Sequence, residues 1–239
     1  MNQEIIHPIK GFNPHTFLDW EGKIACVIYL PGCNFKCPFC HSSELVINPE
    51  TIANVDYAYI KDFFKEKKGW IDGVVIGGGE PTLYKNLPDL LRDIKNKGLL
   101  VKLDTNGTNP MVLKQLIDEK LLDYVAMDIK APLDTQLYAK VTASNVDVIS
   151  IKQSIDLLMS RDIDYEFRTT VVPCFLQKKD MLAIVKAIKG AKKYILQQFD
   201  PKDTLDKSMA TVKPYLPDEL KQFAQLVSEF VKQCYVRGI

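Results

Sequence analysis

Short apolar runs and helix-spaced apolar stripes alternate along this chain. Residues 24–30 read IACVIYL, an apolar run without helical period, which predicts a buried strand. Residues 56–68 carry apolar positions at helical spacing with lysines toward the end, which predicts a helix. The alternation continues with strands predicted at 73–76, 99–103, 124–129, 165–172 and 194–199. Helices are predicted at 87–97, 110–120, 148–161, 178–189 and 217–234. Six strands with intervening helices imply parallel β-α units with right-handed crossovers. Such a chain is α/β, and the pattern leaves two forms open: a doubly wound sheet or a partial barrel.

The polar residues gather where predicted strands end. Three cysteines follow the first strand, Gly78-Gly79-Glu80-Pro81-Thr82 the second, and Asp104-Thr105-Asn106-Gly107 the third. Asp128 and Lys130 end the fourth, and Arg168 lies on the fifth. Ligands bind at this edge in parallel α/β folds, so these regions are expected to converge on one site. The longest irregular stretch, 200–215, also follows a strand and is expected at the same edge.

Composition narrows the function class. The 239 residues are 46% hydrophobic and 26% charged, which excludes disorder as the main state. Thirty-one basic and 30 acidic residues leave a formal charge of +1, so no basic field invites nucleic acid. No apolar run is long enough for a membrane span, and residues 1–10 lack the pattern of a secretory signal. A cytoplasmic location is expected, where six cysteines do not imply disulfides. Cys26, Cys174 and Cys234 stand singly among apolar residues and read as core filling.

Cys33, Cys37 and Cys40 are different, because they crowd one loop. Thiolates are soft ligands suited to zinc, copper(I) and iron–sulfur clusters. A structural zinc site takes four protein ligands, usually as two pairs, and His41 beside Cys40 fits no common finger spacing. His41 reads rather as a local hydrogen-bond partner. A cubane cluster held by three cysteines leaves one iron open, and an open metal position marks a reactive site. A non-catalytic metal-binding module is the competing reading of the loop.

The C-x-x-x-C-x-Φ-C string from Cys33 to Cys40, with Phe39 as the aromatic, and the GGEP string Gly78–Pro81 resemble the radical S-adenosylmethionine (SAM) superfamily. The strings GKIACVIYLPGCNFKCPFCH, DTNG and MDIK are similar to activating enzymes of glycyl-radical enzymes, nearest to the anaerobic ribonucleotide reductase activating branch. The resemblance runs from about residue 11 to 199 and implies a partial (βα)6 TIM-like barrel. It divides the chain, as a single domain, into an arm (1–23), a barrel core (24–199) and a loop with a C-terminal helix (200–239).

The resemblance also implies the roles. Cys33, Cys37 and Cys40 would hold a 4Fe–4S cluster, with SAM on the fourth iron, and reductive cleavage of SAM would give a 5′-deoxyadenosyl radical. Phe39 and His41 would lie beside the cofactor. Gly78, Gly79 and Glu80 would meet the methionyl ammonium, and Asp128, Lys130 and Arg168 the ribose and methionyl ends. Asn106 belongs to the same cofactor-binding string. Asp104, Thr105 and Asp128 resemble a monovalent-cation site. The implied partners are a glycyl-radical enzyme as protein substrate and a reducing flavodoxin or ferredoxin as electron donor. A radical SAM enzyme acting on another peptide or a small molecule is the alternative.

Two departures stand out. Ser42 occupies a position where some activases have Asn, and no histidine follows the sixth strand, where Gln197, Gln198 or Asp200 would have to substitute. Only 36 residues separate Cys40 from Gly77, none of them cysteine, which leaves no room for a second cluster domain. Residues 17–20 and 200–215 are expected to border the mouth of the barrel and to meet the protein substrate.

Overall fold

The computed structural model describes residues 7–239. The first six, on which the no-leader expectation partly rests, lie outside the described residues. Eight strands form one sheet in sequence order: β1 (Gly11–Thr16), β2 (Ala25–Leu30), β3 (Gly73–Gly78), β4 (Leu100–Thr105), β5 (Tyr124–Asp128), β6 (Asp164–Val171), β7 (Tyr194–Gln198) and β8 (Cys234–Arg237). β1 is antiparallel to β2, and every later pair is parallel. The six predicted strands are β2 to β7. Between and after them run α1 (Ser43–Ile47), α2 (Tyr57–Glu66), α3 (Leu87–Asn96), α4 (Pro110–Asp118), α5 (Thr135–Thr142), α6 (Val148–Ser160), α7 (Lys178–Ala187) and α8 (Pro217–Ser228).

The strand sequences explain the layering. β2 is apolar on both faces because both are covered. Cys26, Ile28 and Leu30 point outward into the large core shared with the helices, where α2 contributes Ile60, Phe63 and Phe64. Ala25 and Val27 point inward and form a separate small cluster with Val75 and Trp20. The sheet curls around that cluster. Glu21, in the turn before β2, reaches Lys193, just before β7, at 2.5 Å, although the two strands are five apart in the sheet. Among the described residues no helix is long and apolar enough to cross a membrane.

Two expectations need correction. The predicted helix 217–234 ends at Ser228, and Cys234 begins β8. Val227 and Val231 extend the helical stripe in sequence, but pairing of 234–237 with β7 overrides it. Within the arm, residues 11–16 form β1, which adds to the sheet by pairing with β2 and keeps Pro14 on an edge strand, where proline is tolerated. Cys174 is exposed rather than core filling, whereas Cys26 is buried and Cys234 half-buried.

Candidate active site

The strand ends carry their polar residues into one cavity of about 400 Å³. All the site residues expected from the sequence line it: Cys33, Cys37, Phe39, Cys40, His41, Gly78, Gly79, Glu80, Asp104, Thr105, Asn106, Asp128, Lys130 and Arg168. Each comes from the C-terminal end of its strand or the loop just beyond, which the parallel register brings to one edge.

The cysteine loop is held from three sides. The Gly79 N–H donates to the Leu30 carbonyl at 2.9 Å, and the Glu80 N–H to the Gly32 carbonyl at 2.7 Å, so the GGE string continues the β2–β3 ladder into the loop. This closeness is what the glycines are for. A Cβ on Gly79 would lie 1.8 Å from the Gly32 carbonyl oxygen, and one on Gly78, at φ +111°, 2.3 Å from that of Leu30. On the second side Asn106 donates from its side chain to Asn34 Oδ1 at 2.8 Å and approaches Cys33 Sγ at 3.9 Å. On the third side the 200–206 segment brackets the loop: Leu205 N–H donates to the Cys40 carbonyl and Asp206 N–H to the Pro38 carbonyl, both at 2.9 Å.

His41 joins that bracket, its Nε2–H donating to the Asp200 carbonyl at 2.9 Å. This is the local hydrogen-bond role. Residues 200–206 of the segment 200–215 therefore fasten the cluster loop. Of 17–20, Leu18 and Asp19 line the cavity but Trp20 is buried in the barrel floor. Of the three substitutes for the missing histidine, Gln197 alone lines the cavity. Gln198 donates instead to the Tyr215 carbonyl, and Asp200 accepts from the Lys202 N–H.

Glu80 lines the cavity as expected and is anchored from two loops. Its buried carboxylate accepts from Thr82 N–H (3.1 Å), Thr82 Oγ1 (2.5 Å), Thr105 Oγ1 (2.8 Å) and Asn106 N–H (2.6 Å). Three of these donors share Oε1 and only the Asn106 N–H reaches Oε2, so Oε2 keeps an acceptor position on the cavity. Glu80 thereby also ties the GGE loop to the DTNG loop. Sequence reading set Thr82 at this edge without its role as partner of Glu80, and it missed Asn34 and Tyr138. The buried Tyr138 hydroxyl accepts from the Lys130 N–H at 3.1 Å, and its ring lies 6.2 Å from Phe35. Tyr138 comes from α5, a helix too short to stand out in the sequence pattern.

Opposite the cysteines lies a charge trio. Asp128 accepts from Lys130 Nζ and from Arg168 Nε, both at 2.8 Å, and Arg168 Nη1 reaches Asp104 at 3.0 Å. Burial alone would raise the Asp128 pKa, but the Arg168 and Lys130 charges outweigh it and hold the carboxyl well below the usual range. The same contacts raise Lys130 and Arg168 against the opposing effect of burial. Arg168 thus bridges the two carboxylates expected to hold a monovalent cation. Asp104 Oδ1 is buried without a hydrogen-bond partner, with Lys102 Nζ 3.8 Å away.

The donor set fits an iron–sulfur cluster. Burial pushes the Cys33 thiol up to about 11 and Cys37 to about 12, while the Lys130 charge pulls both down. Such thiols become ligands when a metal replaces the proton. The Phe35 N–H, 3.4 Å from Cys33 Sγ, is placed to stabilise a thiolate. No three His, Cys, Asp or Glu side chains among the described residues converge as a single ion requires. A cubane asks for a wider set, each thiolate taking its own iron.

The comparisons agree with this arrangement. The family model described as the Radical SAM superfamily matches residues 27–197. A Methanocaldococcus jannaschii protein provisionally named as a glycyl-radical enzyme activating enzyme is 34% identical over 97% of this chain and 96% of its own. A Haemophilus influenzae protein of the same provisional name is 31% identical over 44% of this chain and 40% of its own. Among solved structures, Streptococcus suis SuiB superposes with a TM-score of 0.66 at 14% identity, covering 89% of this chain and 50% of that one. A domain of pyruvate-formate lyase-activating enzyme from Bacteroides vulgatus gives 0.55 at 16% identity, covering 70% of this chain and 99% of that one. These likenesses establish the partial TIM-like barrel.

Proposed function

Because the chain belongs to the radical SAM superfamily, we propose that it activates a glycyl-radical enzyme, with anaerobic ribonucleotide reductase as the target. Bound at this site, a 4Fe–4S cluster and SAM supply a one-electron cleavage of the sulfonium that delivers a 5′-deoxyadenosyl radical. Cys33, Cys37 and Cys40 would hold the cluster. Asp128, Lys130 and Arg168 would hold the zwitterionic methionyl end and the ribose of SAM, because both signs of charge stand together at hydrogen-bond distance there. Gly78 and Gly79 keep the SAM side of the cavity free of side chains. Phe39, buried 6.2 Å from Phe175, contributes an apolar wall. Asp104 Oδ1 is the one carboxylate oxygen of the set left for a monovalent cation. A reducing flavodoxin or ferredoxin in the cytoplasm would supply the electron.

The observation that carries this reading is the placing of three thiols and a three-residue charge network on one cavity, in a chain aligned almost end to end with a protein provisionally named as an activase. Anaerobic reconstitution should give about four irons per chain. Lys130→Ala should weaken SAM binding at least tenfold while the iron content stays the same. With the reductase present, the reduced enzyme should produce a doublet radical signal on that protein. Stoichiometric zinc without iron–sulfur absorption would overturn the superfamily chemistry. Rapid turnover of a small molecule with no protein partner would overturn the activase reading.

A further inference from the structure

The cavity continues past the charge trio toward the open edge of the sheet. Along that stretch three polar side chains stand in one row. Thr170 on β6 is in register with Gln197 on β7, and Gln197 with Arg237 on β8. All three are half-buried and line the cavity. Neighbouring strands lie about 4.8 Å apart, so the row spans about 10 Å, from beside Arg168 to the sheet edge.

The row has no internal use. Among the described residues the Thr170 hydroxyl, the Gln197 amide and the Arg237 guanidinium make no side-chain hydrogen bond. The Arg237 guanidinium has only an ion pair with Glu166, at 3.7 Å. Three adjacent half-buried polar groups whose hydrogen bonds no protein side chain takes up are available to a ligand that displaces water. Val27 and Val75, from the inner faces of β2 and β3, also line the cavity and give it an apolar side.

We infer that Thr170, Gln197 and Arg237 form a track for an extended peptide segment, which carries the target glycine from the open edge to the cofactor. This rests on the activase reading above. The dimensions suit it, since about 10 Å is three residues of extended chain. The chemistry suits it as well. A glycine-centred segment offers backbone carbonyls and amides but little side chain, which matches a row of hydrogen-bonding groups beside an apolar side. A nucleotide suits it poorly. Arg237, the one cation of the row, already pairs with Glu166, whereas a polyphosphate calls for several cations.

The test uses reconstituted holoenzyme, SAM, dithionite and the anaerobic ribonucleotide reductase of the same cells, grown on α-deuterated glycine. Deuterium in 5′-deoxyadenosine reports abstraction from glycine. Thr170→Val and Arg237→Met should each raise the reductase concentration for half-maximal deuterium transfer about fivefold or more, with SAM affinity and iron content within twofold of wild type, and Gln197→Leu should raise it likewise whatever its effect on SAM affinity. Arg237→Lys should recover part of the loss. Deuterium transfer in wild type with unchanged half-maximal concentrations in all three variants would overturn the track and leave the activase reading standing. A Gln197→Leu effect confined to SAM affinity would place Gln197 on the cofactor and also overturn it. No deuterium transfer in wild type, with GTP consumed instead and its KM raised by Arg237→Met, would overturn both readings.

Discussion

At the scale of single residues, what matters is which atoms are already committed. Gly77 and Gly79 look alike in sequence but differ in space. A Cβ on Gly77 meets nothing closer than 3.9 Å, whereas one on Gly79 meets a backbone oxygen at 1.8 Å. Gly77→Ala should therefore fold and retain iron, and Gly79→Ala should lose the cluster loop. Soluble yield and iron per chain after anaerobic reconstitution check this, and equal behaviour of the two variants would contradict it. The Asp128 contacts carry a pH consequence. Its carboxyl is held low by Arg168 and Lys130, so the stability it adds is fully present above the unfolded value near 4 and is lost as pH falls below it. Asp128→Asn should cost on the order of 3 kcal/mol at neutral pH, because two partly buried cations lose their shared partner. It should also flatten the acid limb of stability. Urea midpoints of the apo-protein between pH 3 and 7 measure both effects.

At the scale of elements, the same accounting explains how much the sequence revealed. Most of β2 to β7 were legible as short apolar runs bounded by polar residues at the functional edge, whereas β6, DYEFRTTV, shows alternation instead. The positions of the candidate site residues were legible for the same reason. Their bonding was not, because it depends on partners far apart in sequence. Glu80 is taken up by Thr105 and Asn106, and Asp128 by Arg168, which lies 40 residues away. β8 was hidden by a valine stripe that suits either structure, and α5 by its length of eight residues. The bracket 200–206 was hidden for another reason: two of its bonds to the cluster loop are backbone to backbone and leave no mark on residue type, and the His41 ring bonds only a backbone carbonyl. That bracket makes a prediction. Leu205→Pro removes the N–H that binds the Cys40 carbonyl, and His41→Ala removes the ring donor to Asp200. Each should shorten the lifetime of the reconstituted cluster against an iron chelator several-fold, and deletion of 202–209 should abolish it. Unchanged cluster lifetime with loss of reductase activation alone would leave this segment only the role of partner surface.

At the scale of the whole molecule, the open question is what keeps an incompletely closed barrel curled. Two fastenings cross its lower end. One is the Glu21–Lys193 ion pair, which joins the turn before β2 to the start of β7. The other is Trp20, which packs with Ala25, Val27 and Val75, its ring 5.9 Å from that of Tyr124 on β5. Magnitudes separate them. The Glu21 side chain is 72% exposed, so solvent screens the pair, and exposed pairs contribute about 0–1 kcal/mol. Trp20 is only 6% exposed, and truncating a buried Trp to Ala costs about 3–5 kcal/mol because the surroundings collapse only in part. In a chain of this size each kcal/mol moves the melting temperature by about 2–4 °C. Trp20→Ala should therefore lower Tm by roughly 10 °C, and Glu21→Gln by no more than about 3 °C. The same turn carries Asp19, whose carbonyl accepts from the buried Lys102 Nζ inside the barrel. Loosening the floor should thus be felt higher up, because Lys102 also stands 3.8 Å from Asp104, which pairs with Arg168. Weaker SAM binding in Trp20→Ala, at a temperature where the variant remains folded, would reveal that transmission. A Tm that falls more for Glu21→Gln than for Trp20→Ala would mean that the curl is held by charge rather than by apolar packing.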